Sequence, residues 1–177
     1  MKSLELGRDY IIRRGRQSDL AAYLAACQRS ASEAYFDPGL GGINLFAPEH
    51  YFHESLMPYW QAMASNQSNN HWWVAELSQP GPQIVGGICL SEHPGHFEGR
   101  GFYVKPEWQG LGIGGNLKRQ RDRLINKPLL FEVYSHAKKT IGYHQQNGAV
   151  PTGRSRLIHW ESWPANISLT ALEFKQI

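Results

Sequence analysis

Cysteine is scarce in this chain of 177 residues: Cys27 and Cys89 stand far apart, which excludes a disulfide framework and a cysteine-based zinc site. No hydrophobic run approaches the roughly 20 residues of a membrane-spanning helix, so no membrane partner is expected. Residues 1–6 lack the apolar core of a signal peptide, which makes the cytoplasm the expected compartment. The excess of positive charge is small, +3 at pH 7, well short of a nucleic-acid-binding composition. Internal repeats and linker-like boundaries are also missing. A single domain over residues 1–177 is therefore expected, with 41% hydrophobic residues to build its core.

Glycine, by contrast, is concentrated. Gly110, Gly112, Gly114 and Gly115 lie within residues 110–115, just after a β-prone run that ends at Val104. The missing Cβ atoms let a ligand approach the main chain. N–H groups at a helix start have no intrahelical partner and sit at the positive end of the dipole, so such a turn suits phosphate. Gly110, Gly112 and Gly115 also satisfy the G-x-G-x-x-G dinucleotide pattern, but that turn opens a doubly wound sheet with several βα units to come. Only residues 116–177 follow here, and they read as one helix, one strand, a helix and terminal strands. A Walker loop is excluded because no Gly-Lys-Ser/Thr closes the turn.

Along the chain, residues 10–13 read as a strand. Ser18 or Asp19 caps a helix carrying Leu20, Tyr23, Leu24 and Cys27 on one face, and residues 30–47 read as a long loop. A second helix is expected from Pro48, with Pro58 kinking or ending it. Residues 72–77 and 83–90 form a predicted hairpin, and 97–104 a further strand. Ile113, Leu117, Arg121 and Leu124 share one face of the next helix. Residues 129–133 read as a strand covered on both faces, 137–146 as a helix, and 157–162 and 167–174 as a closing strand pair. Lys118, Arg119, Arg121 and Arg123 form either a solvated face or a phosphate-attracting one. His50 and His53, at helical spacing, read as a solvated face, and no metal is assigned.

The string Val104-x-Pro106 followed by Gln109-x-x-Gly112-x-Gly114 resembles the pyrophosphate loop of the GCN5-related N-acetyltransferase (GNAT) superfamily, and the element order agrees with that family over nearly the whole chain. The resemblance implies an α/β (α+β) acyl-CoA N-acyltransferase fold: a mixed, mostly antiparallel sheet of six to seven strands, about four flanking helices, and a splay between the fourth and fifth strands. It implies acetyl-CoA as co-substrate, an amine of a small molecule or protein as acceptor, and direct transfer. Val104, Gln109, Gly110, Leu111, Gly112, Ile113, Gly114 and Gly115 are the implied coenzyme-binding residues. A homodimer is open. A non-catalytic acyl-CoA-binding module on the same fold is the alternative.

Glu98, six residues before Val104, is the candidate base, with an exposed charge or an ion pair with Arg100 as the other reading. Strand alternation places it on the same side as Arg100, Phe102 and Val104. The family usually carries a tyrosine four residues before the glycine of a Gly-Phe pair. Gly148-Ala149 stands at that pair, which puts His144 at the tyrosine position and Tyr143 beside it. Helix neighbours lie about 100° apart, so both should not face one sulfur. Tyrosine stays protonated at neutral pH, whereas histidine is charged only below about 6.5, so both remain candidate acids. Ser135-His136-Ala137 stands where the family often has an asparagine. Acceptor contacts are expected from the loop and second helix, foremost Tyr35 and Phe36, with Phe46, Tyr51 and Phe52 as further aromatics.

Overall fold

The computed structural model of the protein describes residues 10–40, 42–63, 69–78 and 81–176. Residues 1–6, read above from sequence, lie outside that set, as do residues 79 and 80 between the two strands of the expected hairpin. Seven strands form one sheet: β1 (Tyr10–Arg14), β2 (Asn70–Leu77), β3 (Gln83–His93), β4 (His96–Val104), β5 (Leu129–Tyr134), β6 (Val150–Ile158) and β7 (Leu169–Gln176), in the order β1-β2-β3-β4-β5-β7-β6. Every neighbouring pair is antiparallel except β4 and β5, which are parallel. Among the described residues, five α-helices accompany them: α1 (Leu20–Ala34), α2 (Pro48–Tyr51), α3 (Met57–Met63), α4 (Ile113–Asp122) and α5 (Lys138–Gln146).

Strand alternation divides the core between the two faces. Trp72 and Val74 of β2 pack with Tyr23, Leu24 and Cys27 of α1 on one face. Trp73 and Ala75 pack with Ile113 and Leu117 of α4 on the other.

Several elements differ from their sequence reading. Helix α1 runs on to Ala34 because Ser30 and Ala31 continue its buried face, so the expected loop starts later. Asp19 precedes α1 without a side-chain capping bond. Its carboxylate instead accepts from Arg13 (2.6 and 2.9 Å) and from the Arg16 N–H (2.7 Å). The helix from Pro48 is a single turn, and Pro58 neither kinks nor ends it but occupies the first turn of a separate helix, where its missing N–H costs nothing. His53 consequently lies beyond α2, apart from His50. Leu124 falls after α4 and is exposed. Strand β5 is buried on the side of Leu129, Phe131 and Val133, whereas on the other side Tyr134 packs against Tyr35 and Phe46 but Glu132 is exposed, and β6 begins seven residues earlier than expected at Val150.

The most consequential difference lies within β4. Gly87 pairs with Tyr103 and Cys89 with Arg100, so the single residue Ile88 opposes both Gly101 and Phe102. Gly101 adopts φ +55, which residues with a Cβ rarely tolerate, and the extra residue makes a β-bulge. The Tyr23 hydroxyl donates to the Gly101 carbonyl at 2.6 Å and braces the bulge. One added residue reverses the alternation. Phe102 and Val104 therefore share the α4 face with Phe97, while Glu98 and Arg100 lie on the α1 face. The expectation that Glu98 shares a side with Phe102 and Val104 is corrected.

Candidate active site

Strands β4 and β5 pair only at Phe97–Leu129 and Glu98–Leu130. Beyond those residues both strands continue without pairing with each other, and the sheet is split. A cleft of 760 Å³ occupies the split, with Phe102, Tyr103 and Val104 on the β4 side and Tyr143 and His144 of α5 opposite. The glycine turn forms its outer end. Gln109 holds the turn to the strand, its side-chain amide donating to the Val104 carbonyl at 2.9 Å.

Gly110 and Gly112 both have positive φ, +77 and +80, and Gly112 stands immediately before α4. The N–H groups of residues 110–115 have no acceptor among the described residues. The first to be engaged again is Asn116, bonded to the Gly112 carbonyl at 3.0 Å. A Cβ on Gly110 would meet nothing within 4 Å, so the turn faces open space. A row of free donors at a helix start fits an anionic diphosphate. Gln109, Gly110, Gly112, Gly114 and Gly115 line the cleft together with Val104, whereas Leu111 and Ile113 do not. Ile113, the first residue of α4, has its side chain buried in the core, so only its main chain faces the turn.

Both members of the Tyr143–His144 pair line the cleft, although helical spacing alone argued against it. Tyr143 is 41% exposed, with its ring 6.3 Å from that of Phe102. His144 packs against the Phe131 ring at 4.5 Å. Burial raises the Tyr143 phenol above its ordinary value, against a smaller lowering by the Arg121 charge. Burial, reinforced by Arg121, pulls the His144 imidazole down to about 4.

Tyr35 and Phe36 line the end of the cleft nearest α1. Phe36 is exposed, while Tyr35 packs edge-on against Tyr134 at 5.0 Å and belongs largely to the core. Phe46 and Tyr51 are core residues, and Phe52 is exposed away from the cleft wall. Glu98 lies where β4 and β5 are still paired, outside the cleft wall, with its carboxylate 2.5 Å from Arg100 and 3.3 Å from His93. Sequence reasoning missed His136, which lines the cleft and whose Nε2–H donates to the Tyr35 carbonyl at 3.0 Å. Its position after β5, where the family often has asparagine, was the available signal. Among the described residues no three His, Cys, Asp or Glu side chains converge as a metal site, and no helix is long and apolar enough to cross a membrane.

The family model for an acetyltransferase (GNAT) domain matches residues 68–148. The chain carries a GNAT domain. The matched segment contains the bulge, the split, the glycine turn and both α5 candidates. No curated protein matches the chain in sequence. Among solved structures, the GNAT domain is similar to the PaiA N-acetyltransferase of Thermoplasma acidophilum in complex with coenzyme A, at a TM-score of 0.65 and 18% identity over 93% of this chain and 97% of that one. It is similar to the ribosomal-protein-S18-alanine N-acetyltransferase of Escherichia coli, at 0.63 and 16% over 94% and 92%. A Bacillus anthracis protein crystallised with acetyl coenzyme A matches at 0.52 and 19% over 63% and 64%. At such identities the likeness concerns the fold: a seven-stranded mixed sheet with one parallel pair and five helices.

Proposed function

We propose that this GNAT domain is an N-acetyltransferase that moves an acetyl group from acetyl-CoA to a primary amine of a small molecule or a protein. The observation that carries the reading is the row of free N–H groups, residues 110–115, at the outer end of a split between two strands. The coenzyme supplies an activated thioester. Residues 110–115 would hold its pyrophosphate, and Phe102 and Val104 would flank its pantetheine arm inside the split. Orientation of this kind contributes about 7–11 kcal/mol to a transfer reaction, so few side chains need act chemically.

The departing sulfur requires a proton. Tyr143 keeps one on its hydroxyl at neutral pH, because burial moves its pKa away from 7. His144 has lost its imidazolium proton well below pH 7 and is too weak a base to collect one. Tyr143 is therefore the donor in this reading, and His144 shapes the wall. The amine would enter past Phe36 and the His136–Tyr35 contact, at the end of the cleft remote from the glycine turn. With Glu98 tied to Arg100, the amine loses its proton to water.

The test is thiol release from acetyl-CoA against a panel of amines, with small polyamines, amino acids and peptides as separate arms. Amine-dependent release with an acetylated product is expected. Tight acetyl-CoA binding without turnover in any arm would replace this reading by a non-catalytic acyl-CoA-binding module.

A further inference from the structure

The four basic residues after the glycine turn, equivalent in sequence, are not equivalent in space. Asp122 takes two of them: Lys118 at 2.9 Å, and Arg121, which is buried, at 2.7 Å. Arg123 lies past the helix and donates to the Gln120 side chain at 3.0 Å. Arg119 alone of the four reaches back towards the turn, as helix side chains lean towards the N-terminus. Its guanidinium donates to Asn116 Oδ1, and no carboxylate pairs with it among the described residues. One of its terminal nitrogens lies 3.7 Å from where a Cβ on Gly115 would stand, which puts the guanidinium beside the last glycine of the turn.

Asn116 is fixed at both ends, because its Nδ2–H donates to the hydroxyl of Tyr10 on β1. That hydroxyl lies 4.0 Å from the Cβ position of Gly112. Since it accepts from Asn116, its own hydrogen remains to be donated. The N–H groups of residues 110–115, the Tyr10 O–H and the Arg119 guanidinium thus bring donors, and a positive charge, to one turn. We infer that Tyr10, Asn116 and Arg119 clamp the pyrophosphate of the coenzyme, with Arg119 as a direct ligand and Tyr10 and Asn116 as the residues that aim it. A planar guanidinium suits two phosphate oxygens at once. The inference rests on the acetyl-CoA reading above and adds a side-chain contribution to a site otherwise made of main chain.

Titration calorimetry with coenzyme A, 3′-dephospho-coenzyme A and pantetheine tests it in the full chain. Wild type should bind the first two similarly and pantetheine far more weakly. Arg119→Ala should weaken both nucleotide ligands by about tenfold to a hundredfold, the range for a charge-assisted contact, with an unchanged unfolding midpoint. Arg119→Lys should fall between, and Tyr10→Phe should show the same pattern at a few-fold. Wild-type affinity in Arg119→Ala overturns the clamp, as does a loss that extends equally to pantetheine. A loss confined to coenzyme A moves Arg119 to the 3′-phosphate and overturns the pyrophosphate assignment. Wild type that binds none of the three overturns the acetyl-CoA reading itself, a separate result.

Discussion

The rings of Tyr143 and His144 meet edge-on with centroids 5.3 Å apart, and burial acts on the two in opposite senses. It raises the phenol, whose charged form is the deprotonated one, and lowers the imidazole, whose charged form is the protonated one. Adjacent residues in one cleft are thereby sorted into a side chain that holds its proton at pH 7 and one that has none to give.

Tyr143→Phe is expected to lower kcat by about 10²–10⁴-fold with little change in acetyl-CoA affinity, the pattern of a group used only in the transition state. His144→Ala should cost far less. Steady-state kinetics on both variants decides the matter, and a severe kcat loss in His144→Ala alone would reverse the assignment.

The same contrast has a consequence for stability. The folded state disfavours the imidazolium of His144, with a pKa of about 4 against an ordinary 6.5. Its neutral form is present in both states above about 6.5, where stability is undiminished. As pH falls from there towards 4 the unfolded chain binds the proton first, and stability declines. Thermal midpoints should therefore drop less steeply over this window in His144→Gln than in wild type. Parallel slopes would show that His144 does not titrate in that way.

Gly112→Asp should abolish detectable acetyl-CoA binding while the domain stays folded. Asp tolerates the left-handed region better than most residues, and Gly112 sits there at φ +80. Its carboxylate would occupy the space intended for phosphate. Calorimetry on a variant with an intact near-ultraviolet spectrum is the check, and unchanged affinity would displace the coenzyme from this turn.

Glu98→Gln tests the candidate base. With the carboxylate held by Arg100 on the face opposite Phe102 and Val104, turnover should stay within a few-fold of wild type at every pH. A deficit at pH 7 that recovers at higher pH, where amines lose their protons unaided, would restore Glu98 as the base.

Tyr23→Phe removes the hydroxyl that holds the Gly101 carbonyl at the bulge. A lost hydrogen bond of this type costs about 0.5–1.5 kcal/mol, and more when the carbonyl is left without a partner. The urea midpoint should fall with an unchanged m value. A midpoint equal to that of wild type would mean that water replaces the hydroxyl at no cost.

What the sequence determined by itself is local in origin. Hydrophobic period and breakers marked β1 to β5, β7, the start of α1 and α5, because each signal lies within a dozen residues. The Gln109–Gly115 turn was legible for the same reason: glycine density and a following helix suffice to predict free N–H groups. Tertiary structure decided the rest. The split between β4 and β5 depends on how far two distant strands stay in register, and the bulge at Gly101 depends on β3 opposite it. Asp122 chose Lys118 and Arg121 as partners and left Arg119 to the turn. Adjacent in sequence, Tyr143 and His144 acquire opposite proton behaviour only when α5 closes over Phe131 and Phe102. Burial, pairing and strand register join residues far apart in the chain, and no local pattern encodes which of them will meet.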